Sequence, residues 1–293
     1  LWLPMVVPIG SWPSLTAAVA QRHGAGQHAR IAPLSRQSLW LSLALSAVMF
    51  TFLSVVPPLL PVMGIAPDII PGATGFLHAV RWGVPALTLF FCMRYLNEGM
   101  HWTIPTMILG FGGLLVLGPL GWALANGRGG FPELGATGLG IASAVTMWVQ
   151  AIAFALYLWW TPRFAHLGLF SRFDRPDGKA IADLLRTGLP IGITVLMEGG
   201  LFIVTALLIG RLGATEAGAH QIAINVAQLC FMIPMGVAEA TTVRVGNAVG
   251  RQDPLGVRRA VWAGILIVLG TQLVSALVLL LGRYPVLVIP LIV

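Results

Sequence analysis

The sequence predicts an all-α integral membrane protein built from two similar lobes. Three observations carry that reading. Apolar residues make up 57% of the 293-residue chain and charged residues only 9%, with a mean hydropathy of +0.87. That balance belongs to polytopic membrane proteins rather than soluble domains. The apolar residues also fall into successive runs long enough to cross a bilayer as helices. Finally, one stretch of the chain recurs at a fixed offset.

In chain order, residues 1–20 form an apolar span interrupted by Pro4, Pro8 and Pro13. Such a helix is expected to kink or to start late, because each proline removes a backbone donor. Leu1 opens directly on the apolar run, so no signal peptide is expected and the chain is read as beginning within a longer protein. A basic loop, QRHGAGQHAR, leads to a second span at about 37–57. A proline-rich link with Asp68 but no Lys or Arg precedes a third span at about 70–97. The fourth covers about 102–125 and the fifth about 135–160. The stretch 161–187 is the longest polar link, and its Asp183 and Arg186 suggest an amphipathic approach to the sixth span at 188–210. The seventh and eighth spans cover about 217–248 and 259–281, and a ninth begins near Tyr284.

The net charge of +7 could point to nucleic acid, but the positions of the basic residues exclude that partner. They sit between apolar spans, as orientation in a membrane requires. Thirteen lie in one set of alternate loops and four in the other, which puts the first set in the cytoplasm. Cys92 and Cys230 both fall within apolar spans, so no disulfide framework is implied. His78, His101 and His220 show no metal-ligand spacing and are read as interfacial histidines with satisfied hydrogen bonds. No nucleophile elbow or phosphate-cradling loop is present.

The recurrence pairs PIGSWPSLTAAVAQRHG at 8–24 with PMGVAEATTVRVGNAVG at 234–250, at a constant offset of 226. Pro8, Gly10, Thr16, Val19 and Gly24 meet Pro234, Gly236, Thr242, Val245 and Gly250. The first span thus corresponds to the seventh, six spans later. An even separation gives both copies the same orientation, hence a parallel repeat about an axis along the membrane normal. Completing both copies needs about twelve spans, of which this chain holds eight and a fraction.

Glu198 lies in the middle of the sixth span. A carboxylate there costs about 2.5–3.5 kcal/mol on insertion scales, so a function is the default reading. Spacings of 7, 4 and 7 put Thr187, Thr194, Glu198 and Thr205 on one face. The bland alternative is a hydrogen bond to a neighbouring helix. On the seventh span Gln221, Asn225, Gln228 and Glu239 follow one side, with Met232 and Met235 close by. Together with Phe202 and the threonines, these residues would line a cavity suited to varied apolar cations, because methionine repacks easily. Interhelical amide glue and core-filling methionines are the competing reading. For Glu239, a pairing with Arg244 or another loop arginine competes with a role in transport.

GLPIG at 188–192, MEGGLF at 197–202, GAHQIAINVAQLCFMIPMGVAEATTVRVGNAVG at 218–250 and FPELGATGLGIASAV at 131–145 resemble the multidrug and toxic compound extrusion (MATE) family, NorM-like branch. RWGVPALTLFFCMRYLNEGM at 81–100 resembles that family's fourth helix. The resemblance implies a two-lobed, twelve-helix exporter of the bacterial inner membrane, multi-pass and monomeric. Residues 1–160 would be family helices 2–6, residues 161–187 the cytoplasmic link, and residues 188–293 helices 7–9 with the start of the tenth. It further implies antiport of amphiphilic, cationic small molecules against H⁺ or Na⁺, with no other cofactor. Glu198 would be the coupling group and the one candidate site for Na⁺. Where family members often carry Asn on either side of the fifth-helix proline, this chain has Leu117 and Gly121 around Pro119. Two rivals are a lipid-linked oligosaccharide flippase of the same superfamily, which should carry a more basic cavity, and a membrane-embedded lipid-modifying enzyme, which would need a paired acid and nucleophile at one depth.

Overall fold

A computed structural model describes residues 2–61, 67–128, 130, 132–165, 174–211 and 213–281. The described residues are helical, with no strand among them. The helices are α1 (Trp2–Gly24), α2 (Ile31–Val55), α3 (Ile70–Val80), α4 (Val84–Gly99), α5 (Ile104–Ala125), α6 (Gly135–Trp160), the short α7 (Pro162–Ala165), α8 (Gly178–Gly210), α9 (Ala214–Gly250) and α10 (Pro254–Leu281). Among the described residues seven helical stretches are long and apolar enough to cross a membrane, with α3 and α4 counted as one, and α1 adds a further helix of 23 residues. The protein is therefore a multi-pass membrane protein. The ninth span expected near Tyr284 lies outside the described residues.

Of the two expectations for the first span, a late start is not seen: α1 runs from Trp2 through Pro4, Pro8 and Pro13 to Gly24. Two other expectations need correction. The third span is not one helix. A 3₁₀ turn at Arg81–Gly83 separates α3 from α4, because Pro85 sits in the first turn of α4 and cannot donate back to the preceding helix. The sixth span starts ten residues earlier than expected, at Gly178. The Asp177 side chain accepts from the Lys179 amide at 2.9 Å, which caps a helix continuous through Asp183 and Arg186.

The core forms where α1, α2, α4 and α6 meet. Trp12, Leu15 and Val19 of α1 join Phe90 of α4 and Phe154 of α6 in one buried cluster. The Phe90 and Phe154 rings meet edge to face at 5.6 Å. Helices α2 and α4 approach through small residues. Ser38 Oγ lies 3.1 Å from Cys92 Sγ, and Ser42 donates to the Thr88 carbonyl at 3.2 Å. Serine at successive turns allows close backbones, with Ser35 and Ser46 donating to carbonyls of their own helix and Ser42 across the seam, which suits a contact that the hydrophobic effect does not drive.

Helix α1 packs along both α8 and α9. Its contact with α9 bears the mark of the repeat. A Cβ on Gly24 would fall 2.1 Å from the Asn247 carbonyl oxygen, and a Cβ on Gly250 would fall 2.0 Å from that of Gln21. The offset of 226 exchanges Gly24 with Gly250 and Gln21 with Asn247. One contact is thus the other turned over by a two-fold rotation. A Cβ on Gly246 would meet Ala20 at 3.0 Å, and these two positions also differ by 226. Equivalent ends of α1 and α9 meet, so the helices are parallel and the axis runs along them, as a parallel repeat requires.

Candidate functional site

The ends of α1, α4, α6 and α9 and the beginnings of α2, α5, α8 and α10 gather at one end of the molecule, rich in arginine. Here the link before α8 is strapped to α2. Arg36 pairs with Asp174 at 2.6 Å, the Trp40 indole donates to the Asp174 carbonyl at 2.9 Å, and Gln37 bonds both the Arg175 carbonyl and the Asp177 amide. His101, between α4 and α5, has φ +62° and packs its ring 5.6 Å from that of His23. With Gly24, Asn247 and Arg251 these two histidines line an open hollow of about 350 Å³. Burial, and then the nearby Arg251 and Arg244, push the His101 pKa below the usual histidine value. The expectation of satisfied histidines does not hold for His220, whose buried Nε2 has no hydrogen-bond partner among the described residues.

A second cleft, of about 370 Å³, opens between α1, α4, α5 and α9. Its walls include Pro13, Thr16, Tyr95, Ile104, Met107 and Val243, and two carboxylates reach it, Glu98 and Glu239. One guanidinium serves both. Arg94 Nε meets Glu98 Oε1 at 2.7 Å, and an outer nitrogen of the same group meets Glu239 Oε2 at 3.3 Å. The Glu98 side chain is only 9% exposed, against 35% for Glu239. Thr16 of α1 closes the wall by donating to the Tyr95 carbonyl at 3.0 Å.

The sequence left a pairing of Glu239 with Arg244 or another loop arginine as the alternative to a role in transport. The structure pairs it instead with Arg94, which lies inside α4 rather than in a loop. Glu98 was missed altogether. The signal for it was present, since Arg94 and Glu98 are four apart on a helix and therefore neighbours on one face.

The other predicted residues lie elsewhere. Gly188 and Gly192 of α8 press against Gly10 and Ser11 of α1, while Thr194, Glu198 and Phe202 are exposed and Thr205 is half-buried. Thr194 donates to the Pro190 carbonyl within its own helix at 3.1 Å. Among the described residues Glu198 forms no ion pair. On α9, Gln221 donates to Asn225 at 3.2 Å, one turn on, and Gln228, Met232 and Met235 are exposed. Of the ten predicted residues, Glu239 alone lines either of the two cavities.

The family model described as MatE matches residues 1–123 and 190–289. A Xanthomonas campestris pv. campestris protein named "Probable multidrug resistance protein NorM" is 76% identical over 283 residues, covering 97% of this chain and 62% of its own length. The "Multidrug resistance protein PmpM" of Pseudomonas aeruginosa is 39% identical over 287 residues, covering 97% of this chain and 60% of its own. A solved structure titled as the outward-facing conformation of a multidrug resistance MATE family transporter superposes with a TM-score of 0.85 at 20% identity, over 97% of this chain and 62% of that one. The chain thus spans about three-fifths of the length of these relatives.

Proposed function

This chain belongs to the MatE family, and from that premise we propose that it is the larger part of a secondary multidrug efflux antiporter of the bacterial inner membrane. The observation that carries the reading is the 76% identity to a protein named for multidrug resistance, sustained over 97% of this chain. Its substrates are amphiphilic, cationic small molecules, and the counter-ion is H⁺ or Na⁺. Residues 1–160 and 188–293 are the portions of two lobes, joined by 161–187, that rock about the two-fold axis between α1 and α9.

Glu198 is the coupling group in this reading. It is a carboxylate in the middle of an apolar helix, and among the described residues it has no ion-pair partner, so it can take a proton or a small cation. Binding the ion neutralises it and weakens its hold on a cationic substrate. Release of the ion restores the charge that attracts the next substrate. The exposed Thr194, Phe202, Met232 and Met235, with the Gln221–Asn225 pair, contribute the adaptable wall of the substrate cavity.

The test is ethidium efflux from bacteria stripped of their own efflux pumps. They would express this chain completed to the relatives' length with Xanthomonas campestris sequence. Efflux should exceed that of the empty vector and collapse with either a protonophore or a sodium ionophore. Efflux no faster than the vector's would refute the proposal.

A further inference from the structure

We propose that Arg81, in the turn between α3 and α4, binds the phosphodiester group of an anionic phospholipid on the lipid-facing side of the bundle. The proposal goes beyond the export reading and does not rest on it. Three observations carry it.

Arg81 is a cation without a counter-charge. All ten acidic residues of the chain lie among the described residues, and none of them pairs with it. A guanidinium has several N–H donors to place. One outer nitrogen donates to Ser54 Oγ at 3.2 Å, whereas the buried Nε meets no acceptor among the described residues. A charge so poorly matched in an apolar bundle is costly. The residue is only half-buried, so an anion can reach its outer edge and supply both the charge and the acceptors.

The surroundings hold the group in place. Its central carbon lies 5.3 Å from the centre of the Phe50 ring and 5.8 Å from that of Trp82, and those two rings meet edge to face at 5.1 Å. The Trp148 indole of α6 donates to the Trp82 carbonyl at 2.9 Å. A Cβ on Gly83 would fall 2.8 Å from the Ala144 Cα, so the turn is pressed onto α6. A fixed, planar fork of donors suits the paired oxygens of a phosphate.

The position selects a lipid. Ser54 lies in the last turn of α2, away from the arginine-rich end where that helix begins. Val48, Thr51, Trp82 and Trp148 are exposed on this side, and exposed tryptophan marks the headgroup level of a bilayer. The offset of 226 turns the packing of α4 on α1 and α2 into packing of a later helix on α9 and α10. The helices around Arg81 do not pack along α9 or α10, so completing the bundle leaves this side to lipid. One unmatched positive charge favours a lipid of net negative charge over a zwitterionic one, which brings its own cation.

The experiment is quenching of Trp82 fluorescence by brominated lipids in phosphatidylcholine nanodiscs holding the chain completed to its relatives' length. The Trp82 signal is the difference between each protein and the same protein carrying Trp82→Phe. Brominated phosphatidylglycerol should quench it at least about twofold more than brominated phosphatidylcholine at equal mole fraction. Arg81→Gln should abolish that preference and leave quenching by phosphatidylcholine unchanged, which shows that Trp82 keeps its place. Ser54→Asp puts a carboxylate where Arg81 now meets a hydroxyl. It should abolish the preference too, and it guards against an Arg81 variant that fails to fold. Equal quenching by the two lipids in the unaltered protein, or a preference that survives either substitution, overturns the site. Loss of the preference on adding inorganic phosphate would assign Arg81 to a soluble anion and would overturn it as well.

Discussion

The two halves of α9 differ in what surrounds a polar side chain. Over 239–250 the helix lies against α1: Asn247 is buried, Glu239 is held by Arg94 of α4, and backbones touch at Gly24 and Gly250. Over 221–235 the same helix is open, with Gln221 bonded to Asn225 and with Met232 and Met235 more than half exposed. Helix α8 divides in a similar way, with Gly188 and Gly192 against α1 but Thr194 and Glu198 exposed. The contrast separates two kinds of intramembrane charge. A carboxylate already matched with a guanidinium is part of the packing, and removing its partner strands it. A carboxylate with no such partner is available to an ion.

The largest effect that could break this contrast is on stability at the packed end. Arg94→Met strands Glu98, whose side chain is 9% exposed, and should cost about 3 kcal/mol. Glu198→Gln should change the unfolding midpoint little, since no pairing is lost. Thermal unfolding of both variants in detergent compares them directly, and equal losses would erase the distinction.

Next comes a pair of glycines related by the repeat. A Cβ on Gly10 would fall 2.0 Å from the Gly188 carbonyl oxygen, whereas a Cβ on Gly236 meets nothing within 4 Å. Gly10→Ala should therefore destabilise by about 2 kcal/mol through forced separation of α1 and α8. Gly236→Ala should be neutral or stabilising by up to about 1 kcal/mol, because alanine is the better helix former. The same unfolding assay reads both. A comparable loss at Gly236 would mean that its face is as tightly packed as that of Gly10.

The smallest effect is on pH dependence. His101 resists protonation in the folded protein more than in the unfolded chain. The unfolded state therefore takes up the proton first as pH falls. The stability in question is complete above the ordinary histidine value of 6.5 and is lost progressively below it, until the lowered folded value is reached. His101→Asn keeps a residue that tolerates φ +62° and removes the titration, so its unfolding midpoint should fall less than that of the wild type between about pH 7 and about pH 5. An unchanged slope would place the acid sensitivity elsewhere.

Much of the fold was legible in the sequence because a membrane makes hydrophobic length decisive. The span at 135–160 coincides with α6, and that at about 217–248 falls within α9. The repeat was legible because its offset survives in small residues whose size the α1–α9 contact enforces, as at Gly24 and Gly250. The break before α4 was less legible, since apolar composition continues through Arg81–Gly83 and only Pro85 marks it. The early start of α8 was hidden for the opposite reason: the turns after Asp177 are polar, and a cap rather than hydrophobicity begins the helix. The partner of Glu239 could not be read from spacing, because 145 residues separate it from Arg94. Tertiary packing sets Arg94, inside a helix, beside two carboxylates.

The central claim is that Glu198, unlike Glu239, couples an ion to the exported compound. The direct measurement is drug-dependent proton and sodium flux in proteoliposomes holding the chain completed to its relatives' length, with an imposed gradient of each ion. Glu198→Gln should keep the fold and lose the coupled flux, because the amide can neither release a proton nor offer a charge to a cation. Gradient-driven export by the Gln variant at the wild-type rate would contradict the account and leave Glu198 a hydrogen-bonding group of the bundle.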